Sequence, residues 1–222
     1  MQAANEQKVI SVNVGVPREV EWEGRTVATS ISKKPVNGSV IMRQLNLDGD
    51  EQADLSVHGG PDKAVYVYSA EYYPFWKQEL TEPGLEWGMF GENLTIQGLL
   101  DEAVNIGDRF KIGTAEVVVT QPRTPCYKLN LKFGRSDMVR RFSKSGYSGF
   151  YLAVTKEGEV EAGDPVTQLE QDPHGVKVSD INRLYLHDRK DLATIRRALQ
   201  VPALAQGWQD FFQNPLTQHS KS

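Results

Sequence analysis

Short β-rich runs separated by turns fill the first three quarters of the chain and limit the folds it can adopt. The first run, 8–15, carries Ile10, Val12 and Val14 at alternating positions, a spacing typical of a half-buried strand. Similar runs follow at 26–32, 63–69, 93–96, 109–113, 115–121, 149–155 and 165–170. Many short strands at this spacing predict a barrel or a sandwich, not a fold of alternating strands and helices.

Two helices are predicted between these strands. The segment 69–80 contains a proline after its first turn, so a late or bent helix start is expected, with Phe75 and Trp76 in the core. The segment 135–146 has Ser136 as a candidate N-cap. The fold class predicted for this part of the chain is therefore mainly β, with a few peripheral helices.

The pattern changes to helical after about residue 172. Apolar residues recur there at helical spacing in three short segments, and the linker is expected at 170–175. The sequence thus predicts a β domain over 1–172 and a small three-helix domain over 173–222. Short amphipathic helices cannot bury their apolar faces singly, so they should pack together or on the β domain.

Composition excludes several classes of protein. The 25 Lys and Arg against 29 Asp and Glu give a formal net charge of −4, which argues against a nucleic-acid-binding surface. No apolar run approaches the roughly 20 residues of a membrane helix. The N-terminus lacks the apolar stretch of a signal peptide, and a single cysteine forms no internal disulfide. We therefore expect a cytoplasmic protein without membrane partners.

The single cysteine, Cys126, lies in the segment "QPRTPCYKLN" at 121–130. It can be a buried small hydrophobe, a nucleophile or a metal ligand. Arg123 and Lys128 favour the last two alternatives, because nearby cations stabilise a thiolate, and two prolines stiffen the backbone that holds the thiol. A sole thiolate suits a metal that brings most of its own ligands, since no Cys/His pair has the spacing of a zinc site.

Two further segments contain candidate binding residues. In "VHGGPDKAVYVYS" at 57–69, backbone N–H groups of the two glycines can approach an anion beside a lysine, although the segment also suits an ordinary hairpin loop. In "GMFGENLTIQGL" at 88–99, Glu92 and Asn93 can bond to a polar heterocycle, although a glycine-rich turn with a polar tip is usually only a turn.

These segments together resemble a known family, the MOSC domain. The resemblance is carried, in order, by "VHGGPDKAVYVY", "GMFGENLTIQGL", "NIGDRFKIGTAEVVVTQPRTPCYKLN" and "SGYSGFYLAVTKEGEV". It covers nearly the whole chain from about residue 8, and the three C-terminal helices are similar to those of the stand-alone YiiM-type members. The resemblance implies a MOSC-type β-barrel with a few peripheral helices.

The resemblance also implies a site. In MOSC proteins the cysteine of the "R-x-PC" segment binds the molybdenum of a molybdopterin cofactor, so that catalytic and metal-ligating role falls on Cys126. The positions that match the family's cofactor-binding motifs are His58, Gly59, Gly60, Lys63, Glu92, Asn93, Arg123 and Lys128. We expect these residues to converge on one cavity with the thiol.

Related MOSC enzymes reduce N-hydroxylated compounds, which implies a molybdenum-dependent reductase of small substrates such as hydroxylaminopurines. One cysteine cannot hold an iron–sulfur centre, so the electrons would come from a separate flavin or iron–sulfur protein. The alternative is a cofactor-carrying or sulfur-handling module without turnover of its own. A homodimer is a further expectation. The basic residues of the C-terminal helices suggest either a packing cap or a docking face for an acidic donor, and that alternative stays open.

Overall fold

The computed structural model describes residues 6–53 and 59–219, and side chains as far as residue 213. The chain is mainly β with a few helices, as predicted. Its strands are β1 (Lys8–Val14), β2 (Arg18–Trp22), β3 (Arg25–Thr29), β4 (Lys34–Pro35), β5 (Val40–Met42), β6 (Val65–Ser69), β7 (Leu94–Gln97), β8 (Arg109–Ile112), β9 (Ala115–Pro122), β10 (Phe150–Lys156), β11 (Gly158–Val160) and β12 (Val166–Glu170).

Eight strands form one sheet in the order β12-β8-β9-β10-β6-β7-β1-β4, and two smaller ribbons pair β11 with β5 and β2 with β3. Only the β6–β7 pair in the large sheet is parallel, with Val67 opposite Leu94. The strand pairing leaves the large sheet open, so the closed barrel stays a prediction. Contacts between β1 and the start of β12 nevertheless curl it, because Lys8 bridges to Pro165 and Val9 N donates to Asp164 O at 2.9 Å.

The helices are α1 (Tyr73–Leu80), α2 (Lys128–Phe133), α3 (Met138–Ser145), α4 (Val178–Leu186), α5 (Leu192–Ala198) and α6 (Gln206–His219). The late start of α1 is confirmed, because a 3₁₀ turn precedes it. Trp76 is fully buried as predicted, but the prediction for Phe75 is wrong, since its side chain is 38% exposed. The residue before α3 is Asp137, not Ser136, and it holds Arg141 at 2.6 Å.

Two apolar clusters form the core. The larger one lies inside the curled sheet and continues into the C-terminal helices through Ile181, Ile195, Trp208 and Phe212. The extension therefore shares a core with the sheet, although the domain boundary at residue 172 stays a prediction. The second cluster is aromatic and packs α1 and α3 against β6. In the described residues no helix is both long enough and apolar enough to cross a membrane.

Candidate cofactor-binding site

A cavity that opens to solvent lies where the loops around β6, β7 and β9 meet the segment after β3. Its walls combine cationic side chains, hydroxyl groups, two tyrosines and the thiol. The residues that line it are Thr29, Ser30, Ile31, Lys33, Asp50, Glu51, Gln52, Ala53, Lys63, Tyr66, Gly91, Asn93, Arg123, Thr124, Cys126, Lys128 and Tyr151.

Cys126 lies between the end of β9 and the start of α2, with its side chain partly exposed to the cavity. Its carbonyl oxygen accepts a hydrogen bond from Leu129 N at 3.0 Å, which fixes the thiol just before the helix begins. The sequence did not predict α2, and this short helix turns Lys128 toward the same cavity. The thiol and two of the predicted cations, Arg123 and Lys128, thus face one space.

Arg123 is the most unusual side chain of the site, because it is only 6% exposed yet carries a charge. Its guanidinium lies 5.0 Å from the ring centre of Tyr66 and 5.0 Å from that of Phe142. Burial acts to lower its pKa, but the neighbouring acidic groups, among them Tyr66 and Cys126, leave that pKa raised. Arg123 therefore keeps its positive charge beside the thiol. Its Nη1 atom is buried and has no hydrogen-bond partner among the described residues.

Lys63 ends a 3₁₀ turn that begins after Gly60, whose φ of 99° suits glycine. The turn is tied to β9, because the Asp62 carbonyl oxygen accepts hydrogen bonds from Thr120 Oγ1 at 2.7 Å and Gln121 Nε2 at 3.1 Å. Burial lowers the pKa of Lys63, and its amine lies in the cavity wall. Neither Gly59 nor Gly60 is among the described residues that line the cavity, and His58 lies outside the described residues.

The structure places Glu92 outside the cavity lining, and its predicted contact with a cofactor stays a prediction. Its side chain is fully buried and does not line the cavity. One carboxylate oxygen accepts from Gly88 N at 2.8 Å, Thr95 Oγ1 at 2.9 Å and the Tyr73 hydroxyl, and the other accepts from Phe90 N at 3.1 Å. Glu92 thus holds the glycine-rich turn in place by accepting hydrogen bonds from its backbone, and its carboxylate does not face the cavity.

Asn93 does reach the cavity, but its amide is already used within the protein. Its Oδ1 accepts from Tyr66 N at 3.1 Å, and its Nδ2 donates to Asp50 Oδ2 at 2.9 Å. These bonds leave little capacity for the predicted contact with a heterocycle. Through these two hydrogen bonds Asn93 connects β6 to the segment around Asp50 in the cavity wall.

One wall of the cavity, formed by the segment that follows β3, was not predicted from the sequence. It supplies Ser30 and Lys33, and Lys33 Nζ forms a buried ion pair with Asp50. Burial lowers the pKa of Lys33, and the Asp50 carboxylate partly offsets that effect. The signal available in the sequence was the basic pair at 33–34 directly after a β-rich run, which has no motif of its own.

The residues present fit an anionic, metal-containing cofactor. Ser30 Oγ and Arg123 Nη1 are buried polar atoms without a hydrogen-bond partner in the part of the chain that the structure describes, and both belong to residues that line this cavity. Buried polar atoms are normally paired, so these two suit ligand atoms. Lys33, Lys63 and Lys128 add cations around the same space. Among the described residues no three His, Cys, Asp or Glu side chains cluster as a metal site.

The curled sheet, its cationic cavity and the helical extension define a class of protein in which a β domain presents one thiol to a cavity lined with cations. Comparison with protein-family models assigns residues 54–167 to the MOSC domain. Residues 178–219 match the YiiM-like, 3-alpha helix domain. The chain belongs to the MOSC family, and specifically to its YiiM-like members.

Individual proteins support this assignment. The chain is 46% identical over 204 residues to Uncharacterized protein YflK of Bacillus subtilis, with 92% of each chain covered. It is 33% identical to a protein named Reductase from Gibberella moniliformis, over 81% of this chain and 32% of that protein. The crystal structure of YiiM from Geobacillus stearothermophilus superposes with a TM-score of 0.79 at 34% identity, covering 94% of this chain and 98% of that one.

Proposed function

We propose that this chain is a molybdenum-cofactor-dependent reductase of N-hydroxylated compounds, which receives its electrons from a separate flavin or iron–sulfur protein. The observation that supports it best is the position of Cys126 in a cationic cavity that Ser30 and Arg123 also line, because Ser30 Oγ and Arg123 Nη1 are buried and no described residue pairs with them. The relative named Reductase supports the reaction class.

Each residue would have a distinct part in holding the cofactor. Cys126 would bind the metal as a thiolate, which is a soft ligand. Arg123 would donate hydrogen bonds to a phosphate or polar edge, because a guanidinium presents several donors in a fixed plane. Lys63, Lys128 and Lys33 would supply further positive charge. The cofactor, when bound, would supply the two-electron chemistry.

The reaction is balanced as R–NH–OH + 2 e⁻ + 2 H⁺ → R–NH₂ + H₂O, in which the N–O bond breaks and the oxygen leaves as water. The chain's own residues have three tasks in this reaction: to hold the anionic groups, to exclude bulk water and to keep the substrate beside the metal. Tyr66 and Tyr151 line the cavity with their rings in contact, and both rings are largely removed from solvent. This part of the lining suits the exclusion of bulk water.

The Cys126→Ser variant tests the proposal. Serine is nearly isosteric but is a harder and much less acidic ligand, so bound molybdenum and turnover should fall by at least about a hundredfold while the melting temperature changes little. The measurements are metal content, reduction of an N-hydroxylated base with a chemical electron donor, and thermal unfolding. Tyr127→Phe is the matched control, because it alters the neighbouring exposed side chain and keeps the thiol.

Two outcomes would contradict the proposal. Full molybdenum retention and turnover in Cys126→Ser would exclude the thiol as the ligand. A wild-type protein that holds the cofactor but reduces no N-hydroxylated compound would favour the carrier function instead.

A further inference from the structure

A buried hydrogen-bonded junction connects the three-helix extension to the loop that supports Arg123. Asn182 Nδ2, on α4, donates to Ser148 Oγ at 2.6 Å, and Ser148 Oγ donates to Asp101 Oδ2 at 2.9 Å. The same carboxylate oxygen accepts from Ser148 N at 2.9 Å and Gly149 N at 3.0 Å. Asp101 is only 2% exposed. One carboxylate thus fixes the loop that precedes β10.

This loop contacts the cavity wall at two places. The Ser148 carbonyl oxygen accepts from the Tyr66 hydroxyl at 2.8 Å, and the Tyr66 ring lies under the Arg123 guanidinium. The Gly149 carbonyl oxygen accepts from Arg123 N at 3.1 Å. Both the backbone and the aromatic support of Arg123 therefore depend on where the loop lies.

We propose that Asp101, Ser148 and Asn182 are positioning residues that hold Arg123 in the cavity, and that through them the three-helix extension is part of the site. Asp101 touches neither Cys126 nor the cavity, so its effect passes through the loop. The inference deepens the proposed function, because Arg123 is proposed to hold the cofactor. The geometry on which it stands is independent of that cofactor.

The single thiol provides a direct test. The full chain is prepared in a host that cannot make the molybdenum cofactor, and Cys126 is modified either by the dianionic reagent dithiobis(nitrobenzoate) or by neutral iodoacetamide. The thiolate attacks both reagents and displaces thionitrobenzoate from one and iodide from the other, so the ratio of the two rates cancels its protonation and reports the local charge. Arg123→Gln calibrates the assay and should lower the ratio about two- to fivefold, since one neighbouring positive charge is lost.

Asn182→Leu and Ser148→Ala should each lower the ratio by about twofold or more. Asp191→Ala is the control, because Asp191 caps α5 in the same extension through Thr194 N at 3.0 Å and is not part of the junction. Its ratio should equal that of the wild type. Circular dichroism verifies folding, and if Asn182→Leu does not fold, Ser148→Ala provides the test because it keeps both backbone bonds to Asp101.

The pH dependence of the rate ratio distinguishes a positioning role of Asp101 from a general effect on folding stability. An ionised carboxylate accepts hydrogen bonds more strongly than a protonated one, so the wild-type ratio should rise through about pH 6, where Asp101 ionises. Asp101→Asn should give a ratio without that step. The titratable groups that face Asp101 are Tyr66 and Tyr68 of β6, with Tyr72 and Glu102 beside it, and burial raises the pKa of all three tyrosines.

The inference is overturned if the junction variants keep the wild-type ratio while Arg123→Gln lowers it. It is also overturned if Asp191→Ala lowers the ratio as much as they do, because loosening of the extension would then explain the effect. An unchanged ratio in Arg123→Gln would overturn it as well. Loss of molybdenum-dependent activity alone bears only on the proposed function.

Discussion

Arg123 combines two costs that a folded protein normally avoids: a buried charge and a buried donor with which no described residue pairs. The rings of Tyr66 and Phe142 replace part of the lost hydration, since a cation is attracted to the face of an aromatic ring. The unpaired Nη1 still costs about 1–3 kcal/mol. Such a cost is typical of a group kept for binding, because a ligand that pairs with it recovers the energy.

The ionisation of Asp101 should dominate the change of the unfolding free energy with pH in the mildly acidic range. Burial raises its pKa from 3.8 to about 6, and hydrogen bonds from Ser148 and Gly149 limit that rise. The folded chain therefore binds a proton more tightly than the unfolded chain. Stability from this group is complete below about pH 4 and is lost as the pH rises to about 6, by roughly 3 kcal/mol at most.

The Asp101→Asn variant should lack this contribution, so the difference in unfolding free energy between wild type and variant should change across pH 4–6 and stay constant above pH 7. Urea unfolding at several pH values measures it. A constant difference across the whole range would mean that the folded pKa of Asp101 is not raised.

Among the elements, the strands with alternating apolar residues and the helices with apolar residues at helical spacing were predictable, and several short elements were not. All eight predicted β-rich runs became strands, because alternation of buried and exposed side chains reflects the pleat directly. The predictions missed β2, whose residues are largely exposed and charged, and α2, whose alternating Leu129 and Leu131 resemble a strand. Short elements are decided by their tertiary contacts, which a local pattern does not contain.

The candidate site was predictable where the chemistry is rare and not where it is common. A single thiol beside an arginine is unusual, and Cys126, Arg123 and Lys128 do line one cavity. Carboxylates and amides also serve ordinary backbone donors, and Glu92 and Asn93 serve them here. Lys33 and Asp50 are distant from every motif in sequence, so only the fold brings them to the cavity.

Two glycines at the ends of one loop give an element-scale prediction. Gly149 precedes β10 with φ of +63°, and a Cβ there would lie 2.3 Å from Val67 O of β6. Gly146 ends α3 with φ of +75° and has open space around it. Gly149→Ala should lower the unfolding free energy by roughly 3–5 kcal/mol, because β6 and β10 must separate. Gly146→Ala should cost only about 1 kcal/mol, for the backbone conformation alone.

Denaturant unfolding of both variants measures this difference. Equal costs in the two variants would show that the close approach of Gly149 to β6 does not constrain the sheet. A larger cost for Gly146→Ala would contradict the packing on which the loop and its contact with Arg123 depend.

In the whole molecule, the three-helix extension is more than an isolated appendage, because its apolar side chains continue the core of the sheet. The predicted basic face is partly neutralised, since Arg183 pairs with Asp188 at 2.7 Å and Asp191 at 2.9 Å. Arg189 lies over the rings of Tyr185 and Phe211. Lys190 and the arginines of α5, Arg196 and Arg197, are exposed and are the remaining candidates for contact with a donor protein.

Reversing those two charges tests whether the extension docks an acidic electron donor. The double variant Arg196→Glu and Arg197→Glu should slow reduction by an acidic flavoprotein about tenfold at low salt and much less at high salt, because screening weakens long-range attraction. Reduction by a chemical donor should not change. The matched control reverses Arg140 and Lys144, which are exposed on α3 and give the same change in net charge. If both double variants slow the protein donor equally, net charge explains the effect; if neither does, the helices serve the core and the junction at Asp101 alone.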